Sequence, residues 1–554
     1  MLSLESFKTY TALARQNMSL TGLTLVVGFV VLKVCEENGH QRCVIKLVWK
    51  RCSSSNLSQI TINLVTSRIP SSVPGPLIAR LTSKWILFVD LSGYRARTVH
   101  ALHKKYGPVV RLSPNELSFA AKDAAKSIYG MGATVIKSSA YDNFGRKGMF
   151  QMQDPHEHRE RQRRVSHIFS AGTLQQMEPL IRSVVDKTVA ATEKGVGGAA
   201  DAVHWCRMMA LDVAGEVLMG RSFGAFEGEE TAPVYIHNLD DAFFAWTLKG
   251  VAPSFYWMLQ WVPMKRLQAF LGAGQYIYRY GSNAVQDYIK RHGRTSNRRT
   301  LLTKLITGNT ETKTEPLSDE EIVVEVSNLT FAAVDTTGTT AAYALYRLAC
   351  HPEWQDKLRE EIRASGVVEN DFPVAAVQAL PVLNAILMET LRLHPAAPAG
   401  LPRITVAPTE IGGLHVSSGV SFLFFFYSLD YFTRITNTRQ TLVSMQAYTT
   451  QRDPSVFPEP ERYDPSRWLT SGDGAIYPGN SDMQEMMINW GGKGPRSCPG
   501  RYMATMEIKL VLARLLSRNS VSLQGEQTHD DMEMTDHFTL IPKGKRCGLV
   551  FARV

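Results

Sequence analysis

Between Gly500 and about Leu516, Ala504, Ile508, Val511, Leu512 and Leu515 recur at helical spacing and predict a helix. A longer one is predicted over Glu320 to Leu348, entered through Ser318-Asp-Glu-Glu321, which has the form of a capping box. Asp154 followed by Pro155 marks a third helix start. From His156 to His167 this helix gathers four arginines and three histidines, whose plain reading is a solvated basic face. Leu380 to Pro395 sets Glu389 and Arg392 on one helical face at i,i+3. Tyr106 to Phe119 predicts instead a strand, a turn at Pro114-Asn115 and a second strand, and an alternating strand begins near Thr441. Aromatic residues crowd between Phe243 and Phe270, where core packing is the default reading, and Arg291 to Thr314 reads as mostly surface loop. An unbroken apolar run, Leu20 to Leu32, ends at Lys33; it is short for a spanning helix, which needs roughly 20 residues. Lys33, Arg42, Lys46, Lys50 and Arg51 follow it, so the positive-inside tendency leaves the remainder cytosolic. Pro70, Pro74 and Pro76 form a stiff, helix-breaking hinge between that segment and the body.

Composition narrows the picture. A chain of 554 residues, 44% hydrophobic and 20% charged, can bury a large core and is not disordered. The net charge of +10 is spread without an Arg/Lys run, which argues against nucleic acid and for a membrane surface or an acidic redox partner. Seven irregularly spaced cysteines form no disulfide framework, which suggests a reducing compartment.

The candidate chemistry lies in Trp490-Gly-Gly-Lys-Gly-Pro-Arg-Ser-Cys-Pro-Gly500. Cys498 has no second Cys or His at metal-ligand spacing, so a structural zinc site is excluded in favour of a single thiolate on a glycine-rich loop. The helix that follows favours an anionic sulfur at its N-terminus. Gly491, Gly492 and Gly494 let the backbone approach a flat, bulky group, and Arg496 can pair with a peripheral carboxylate. Haem meets both demands.

Gly494-x-Arg496-x-Cys498-x-Gly500 resembles the haem-thiolate signature of the cytochrome P450 family, in which the Cys is the axial iron ligand. The family usually has Phe seven residues before the Cys; here Gly491 stands there, with Trp490 beside it. The resemblance covers about Ser71 to Val554. It implies a mainly α fold with small β-sheets, a catalytic domain over 70–554, and an anchor and linker over 1–69. It also implies haem b as cofactor, electrons from NADPH through a membrane-bound NADPH–cytochrome P450 reductase, a hydrophobic substrate, and anchoring in the endoplasmic-reticulum membrane. His158 matches the family histidine of the helix that crosses the haem, while Gln162 stands where relatives often have Arg, so the propionate pair is assigned to Arg161 or Arg163. Ala332-Ala333-Val-Asp335-Thr336 resembles the oxygen-activation motif: Ala332 and Ala333 let the cofactor lie against the helix, and Asp335 and Thr336 pass protons toward dioxygen. A threonine bonded to its own preceding turn is the alternative. Tyr463-Asp-Pro465-Ser-Arg467-Trp468 supplies the other half of a buried network in which Arg467, rather than Arg462, joins Glu389 and Arg392. The expected reaction is monooxygenation of a secondary-metabolite intermediate, a polyketide, terpenoid or alkaloid; the alternatives are a haem-thiolate isomerase or dehydratase of the same fold, or a non-enzymatic haem sensor. Aromatics near Phe243–Trp261 then belong to a pocket lid that touches the membrane, and the Phe538 hairpin enters the pocket.

One stretch does not belong. Val420 to Gln440, a 21-residue segment rich in apolar and aromatic residues, interrupts a turn that is short in relatives. Its Val420-Ser421, phenylalanine run, Thr436-Asn437 and Gln440 read as splice donor, pyrimidine tract, branch point and acceptor, which identifies a retained intron. A membrane-contacting insertion is the competing reading.

Overall fold

A computed structural model describes residues 69–194, 199–308, 315–366, 372–418, 440–469, 481–525 and 527–554, with isolated positions before residue 69. The apolar run at 20–32, nearly all of 34–65 and residues 420–439 lie outside the described residues. The helices that position the site are α1 (Arg95–Tyr106), α2 (Lys122–Tyr129), α3 (Pro155–Val165), α4 (Ala171–Glu193), α5 (Ala202–Ala214), α6 (Thr231–Val251), α7 (Lys265–His292), α8 (Leu301–Thr307), α9 (Asp319–Cys350), α10 (Pro352–Ala364), α11 (Pro381–Leu393) and α12 (Arg501–Leu516).

The caps fall where the sequence puts them. Ser318 accepts from the Glu321 amide while Glu321 accepts from the Ser318 amide, a complete capping box that fixes the start of α9. Asp154 accepts from the amides of His156 and Glu157 at the start of α3. Because α9 is apolar on nearly every face, it is stable only inside the protein, and it packs against α5, α7 and α12. Its closest neighbour is α5: a Cβ on Gly338 would sit 2.7 Å from the Arg207 Cα, so only glycine lets the two backbones cross there.

Among the described residues the main sheet runs in the order β1 (Val109–Ser113), β2 (Glu116–Phe119), β8 (Leu442–Met445), β5 (Arg403–Thr405), β3 (Val135–Lys137). The predicted hairpin is β1–β2; β8 lies parallel to β2, and β5 is antiparallel to both β8 and β3. Two short hairpins, β6 (Thr409–Ile411) with β7 (Leu414–Val416) and β10 (Met534–His537) with β11 (Thr539–Pro542), stand apart from it. The remaining sheet is β4 (Ala199–Asp201), β12 (Gly548–Arg553), β9 (Asn519–Leu523). The architecture is thus mainly helical with small sheets.

Two expectations gain detail. Arg291–Thr314 is not all surface loop: Thr300 caps α8, and Leu301, Leu302, Leu305 and Ile306 are buried, a short apolar set hidden by its polar flanks. The aromatic cluster is divided: Phe243 and Trp246 on α6 are buried, whereas Trp257 and Trp261 are 59% and 74% exposed. Among the described residues no helix is long and apolar enough to cross a membrane.

The ends of the 420–440 segment meet on one residue. Thr405 Oγ1 donates to the Ser417 carbonyl at 3.0 Å, and the Thr405 amide donates to the Thr441 carbonyl at 3.3 Å. A tight turn can therefore join β7 to β8 without the insert. We expect a variant lacking 420–440 to be more soluble and to bind haem at least as well as the full chain, measured by soluble yield and haem content. Loss of fold in that variant, or a mature transcript that keeps these codons and yields active enzyme, would contradict the intron reading.

Candidate active site

The loop before α12 presents a thiol. The Cys498 amide donates to the Trp490 carbonyl at 2.8 Å, closing the loop, and the side chain is solvent-accessible at the helix entrance. Surrounding protein pushes the thiol pKa up, while the Gly500 and Arg501 amides and the Arg501 charge oppose that shift. A Cβ on Gly500 would meet only the Cys498 sulfur, at 3.9 Å, so the space beside the sulfur is open. Two of the other glycines meet a close approach within the protein itself. A Cβ on Gly494 would lie 2.6 Å from the Tyr129 carbonyl oxygen, and one on Gly492, which has φ +80°, would lie 2.5 Å from the Tyr129 Cβ. They make room for the C-terminus of α2.

Helix α9, which packs against α12, carries a short open strip. Ala332 is exposed and Ala333 and Thr336 are half-buried, although Phe331, Val334, Asp335 and Thr337 around them are buried. Thr336 Oγ1 donates to the Ala332 carbonyl at 2.7 Å, as threonines in helices do, and this leaves its lone pairs as acceptors on the open side. Asp335 is buried; its Oδ1 accepts from Arg207 Nε at 2.9 Å, Arg207 also pairs with Asp240, and Asp335 Oδ2 has no partner. Burial pushes the Asp335 pKa up, Asp240 adds to the shift, and Arg207 opposes it, so the unpartnered oxygen is suited to hold a proton.

A third group of residues is cationic. Lys137 and Arg403 are directly opposed in the β3–β5 pair and are 6% and 4% exposed. Arg496 donates to the carbonyls of Met152 at 2.6 Å and Gln153 at 3.1 Å. Among the described residues none of the three pairs with a carboxylate. Burial lowers the Arg496 pKa to about 10, with Arg403 adding to the shift, and burial together with Arg496 and Lys137 lowers His158 to about 3. His158 is therefore neutral and a hydrogen-bonding group, not a cation.

Arg161 and Arg163 do not join this group, which corrects the expectation for both. Arg161 is buried between Glu321 at 2.5 Å and Glu325 at 2.9 Å and ties α3 to α9, while Arg163 is exposed and faces Glu160. Gln162 reaches the Pro495 carbonyl at 3.4 Å.

A buried network ties α11 to the segment from Gln451 to Trp468. Arg392 grips Glu389 through two bonds of 2.8 Å, both residues having 0% side-chain exposure, and donates onward to the carbonyls of Gln451, Pro460 and Arg462. Arg467 Nε lies 3.4 Å from Glu389, while Arg462 is exposed on Glu459. Trp468 Nε1 and the Asp464 amide complete the Glu389 shell at 3.0 and 2.9 Å. The sequence reading missed the roles of Trp468, Arg207, Lys137 and Arg403. Only pairing across long sequence separations reveals them, and their local patterns carry no signal.

The donor set fits haem: a thiol at a helix entrance, an open strip of small residues on the facing helix, and a group of cations, two of them buried, without a carboxylate partner among the described residues. The family model described as Cytochrome P450 matches residues 75–431 and 438–548. Cytochrome P450 monooxygenase tazI of Aspergillus terreus is 30% identical over 487 residues, covering 86% of this chain and 92% of that protein. Cytochrome P450 monooxygenase ORF9 of Penicillium roqueforti is 28% identical, covering 82% and 84%. Cytochrome P450 monooxygenase stcB of Emericella nidulans is 26% identical, covering 86% and 87%.

Proposed function

Since the chain belongs to the cytochrome P450 family, we propose that it oxygenates an apolar secondary-metabolite intermediate, a polyketide, terpenoid or alkaloid, at the open strip of α9. It is a monooxygenase with a haem-thiolate iron cofactor and NADPH-derived electrons delivered by a reductase. When bound, the haem supplies activation of dioxygen, one atom of which enters the substrate while the other leaves as water.

The observation that supports this reading is the open strip Ala332, Ala333 and Thr336 on an otherwise buried helix packed against the helix that Cys498 precedes. Cys498 would hold the iron as thiolate, with the Gly500 and Arg501 amides offsetting part of the desolvation of its charge. Arg496 would bind a peripheral carboxylate, and Gly500 leaves the sulfur accessible. Thr336 Oγ1 accepts a proton-bearing partner on its open side while its own hydrogen stays on the Ala332 carbonyl. Asp335, whose buried Oδ2 has no partner, would serve as the neighbouring proton-carrying group, and Arg207 fixes the carboxyl group. A haem isomerase or sensor has no use for that pair.

The reading extends to the N-terminal run 20–32 as an endoplasmic-reticulum anchor and to a membrane-bound NADPH–cytochrome P450 reductase as electron donor. The exposed Trp257, Met258, Trp261 and Met264 form an apolar patch suited to rest on the same membrane. Thr336→Ala is expected to keep haem and consume NADPH, yet to lower the product formed per NADPH by about ten-fold or more as peroxide escapes. Unchanged coupling would show that protons travel by another route.

A further inference from the structure

Lys137 and Arg403 are an unusual pair. Residues directly opposite in an antiparallel pair share a face, and like charges in that position destabilise the sheet. Here both are buried, and Arg496 adds a third positive charge to the same surroundings. The contacts within the protein do not neutralise them. Lys137 Nζ donates to the Phe150 carbonyl and sits 4.6 and 4.5 Å from the Tyr141 and Phe150 ring centroids. Arg403 Nη1 donates to the Tyr141 hydroxyl at 3.0 Å and weakly to the carbonyls of Leu401 and Pro402. Carbonyls and ring faces stabilise a cation modestly, but two buried cations beside a half-buried third, without a carboxylate, remain costly until an anion arrives. Burial, then Arg403, then Arg496 push the Lys137 pKa well below the ordinary lysine range, a measure of how unfavourable its charge is without one.

We propose that Lys137 takes a haem propionate, replacing the cation missing at Gln162, so that β3 rather than α3 carries the second positive contact beside Arg496. This rests on the haem site proposed above. Residue 162 is uncharged, Arg161 is held by two carboxylates and Arg163 is exposed on Glu160, so neither arginine expected to pair with a propionate is available for it. The cross-strand position of Lys137 brings its ammonium beside Arg403, and a carboxylate placed there would turn a repulsive cluster into a charge-assisted one.

The test uses the purified full-length holoenzyme. Haem transfer to excess apomyoglobin is timed for the wild type, Lys137→Met and Lys137→Arg, each loaded with haem or with iron protoporphyrin dimethyl ester. The reduced, carbonyl-bound spectrum checks the thiolate separately. A wild type without the thiolate band would refute the haem site itself, whatever Lys137 does. With the band present, Lys137→Met should release haem about ten-fold faster and Lys137→Arg within about three-fold of the wild type. Esterification should speed wild-type release by a larger factor than it speeds Lys137→Met, whose remaining ester effect reports the Arg496 contact alone. Equal release from wild type and Lys137→Met would overturn the proposal, as would an ester effect of the same size in both. So would unchanged haem release with weaker Soret-shift binding of a carboxylate-bearing fatty acid, which assigns the lysine to substrate. Should Lys137→Met not fold, Lys137→Gln takes its place in the same comparison.

Discussion

Glu389→Ala is expected to leave little folded haem protein. The substitution strands the Arg392 guanidinium at 0% exposure and removes the acceptor of the Trp468 indole and the Asp464 amide in one step. Breaking a buried pair by removing one partner costs about 3–5 kcal/mol, against a typical total stability of about 5–15 kcal/mol. Because the same groups anchor the segment from Gln451 to Trp468, the loss falls on the junction between α11 and that segment. Urea unfolding and haem content measure it. Arg462→Ala is the control: its side chain makes only an exposed pair with Glu459 and its carbonyl is kept, so its stability should stay within about 0.5 kcal/mol of the wild type. A Glu389→Ala stability equally close to the wild type would show that the network does not hold the fold.

Cys498→Ser is expected to abolish the thiolate-type spectrum while leaving the fold intact. The sulfur is solvent-accessible and fills no core position, so its replacement creates no cavity. The Trp490 carbonyl bond that closes the loop comes from the backbone amide and survives. What is lost is charge: a neutral hydroxyl cannot donate to iron as a thiolate does. A reduced, carbonyl-bound Soret band that stayed at the thiolate position in this variant would refute the assignment.

The elements legible in the sequence were those whose signals are local. Ser318 with Glu321, Asp154 with Pro155, and the turn at Pro114-Asn115 each fix an element boundary through contacts a few residues apart, and the structure places all three as read. Arg467 was separable from Arg462 by its place in an aromatic-flanked run, and only Arg467 faces Glu389. The failures share one cause. Arg161 looked available from α3 alone, but its partners Glu321 and Glu325 lie on α9. Nothing in the sequence signalled that Gly492 and Gly494 also make room for Tyr129, far away in the chain. Lys137 and Arg403 became visible only once β3 and β5 were paired. Likewise Asp335 suggested a proton relay, but the Arg207 that fixes it belongs to a separate helix.

The most direct test of the central claim follows the oxygen atoms. Candidate apolar metabolites are ranked by the Soret shift they cause, and the best binder is incubated with holoenzyme, NADPH and the reductase under oxygen-18 gas. Monooxygenation predicts one labelled atom in the product and dependence on all three additions. A product formed without NADPH, or one that carries no label, would contradict the account and favour an isomerase or dehydratase on the same fold.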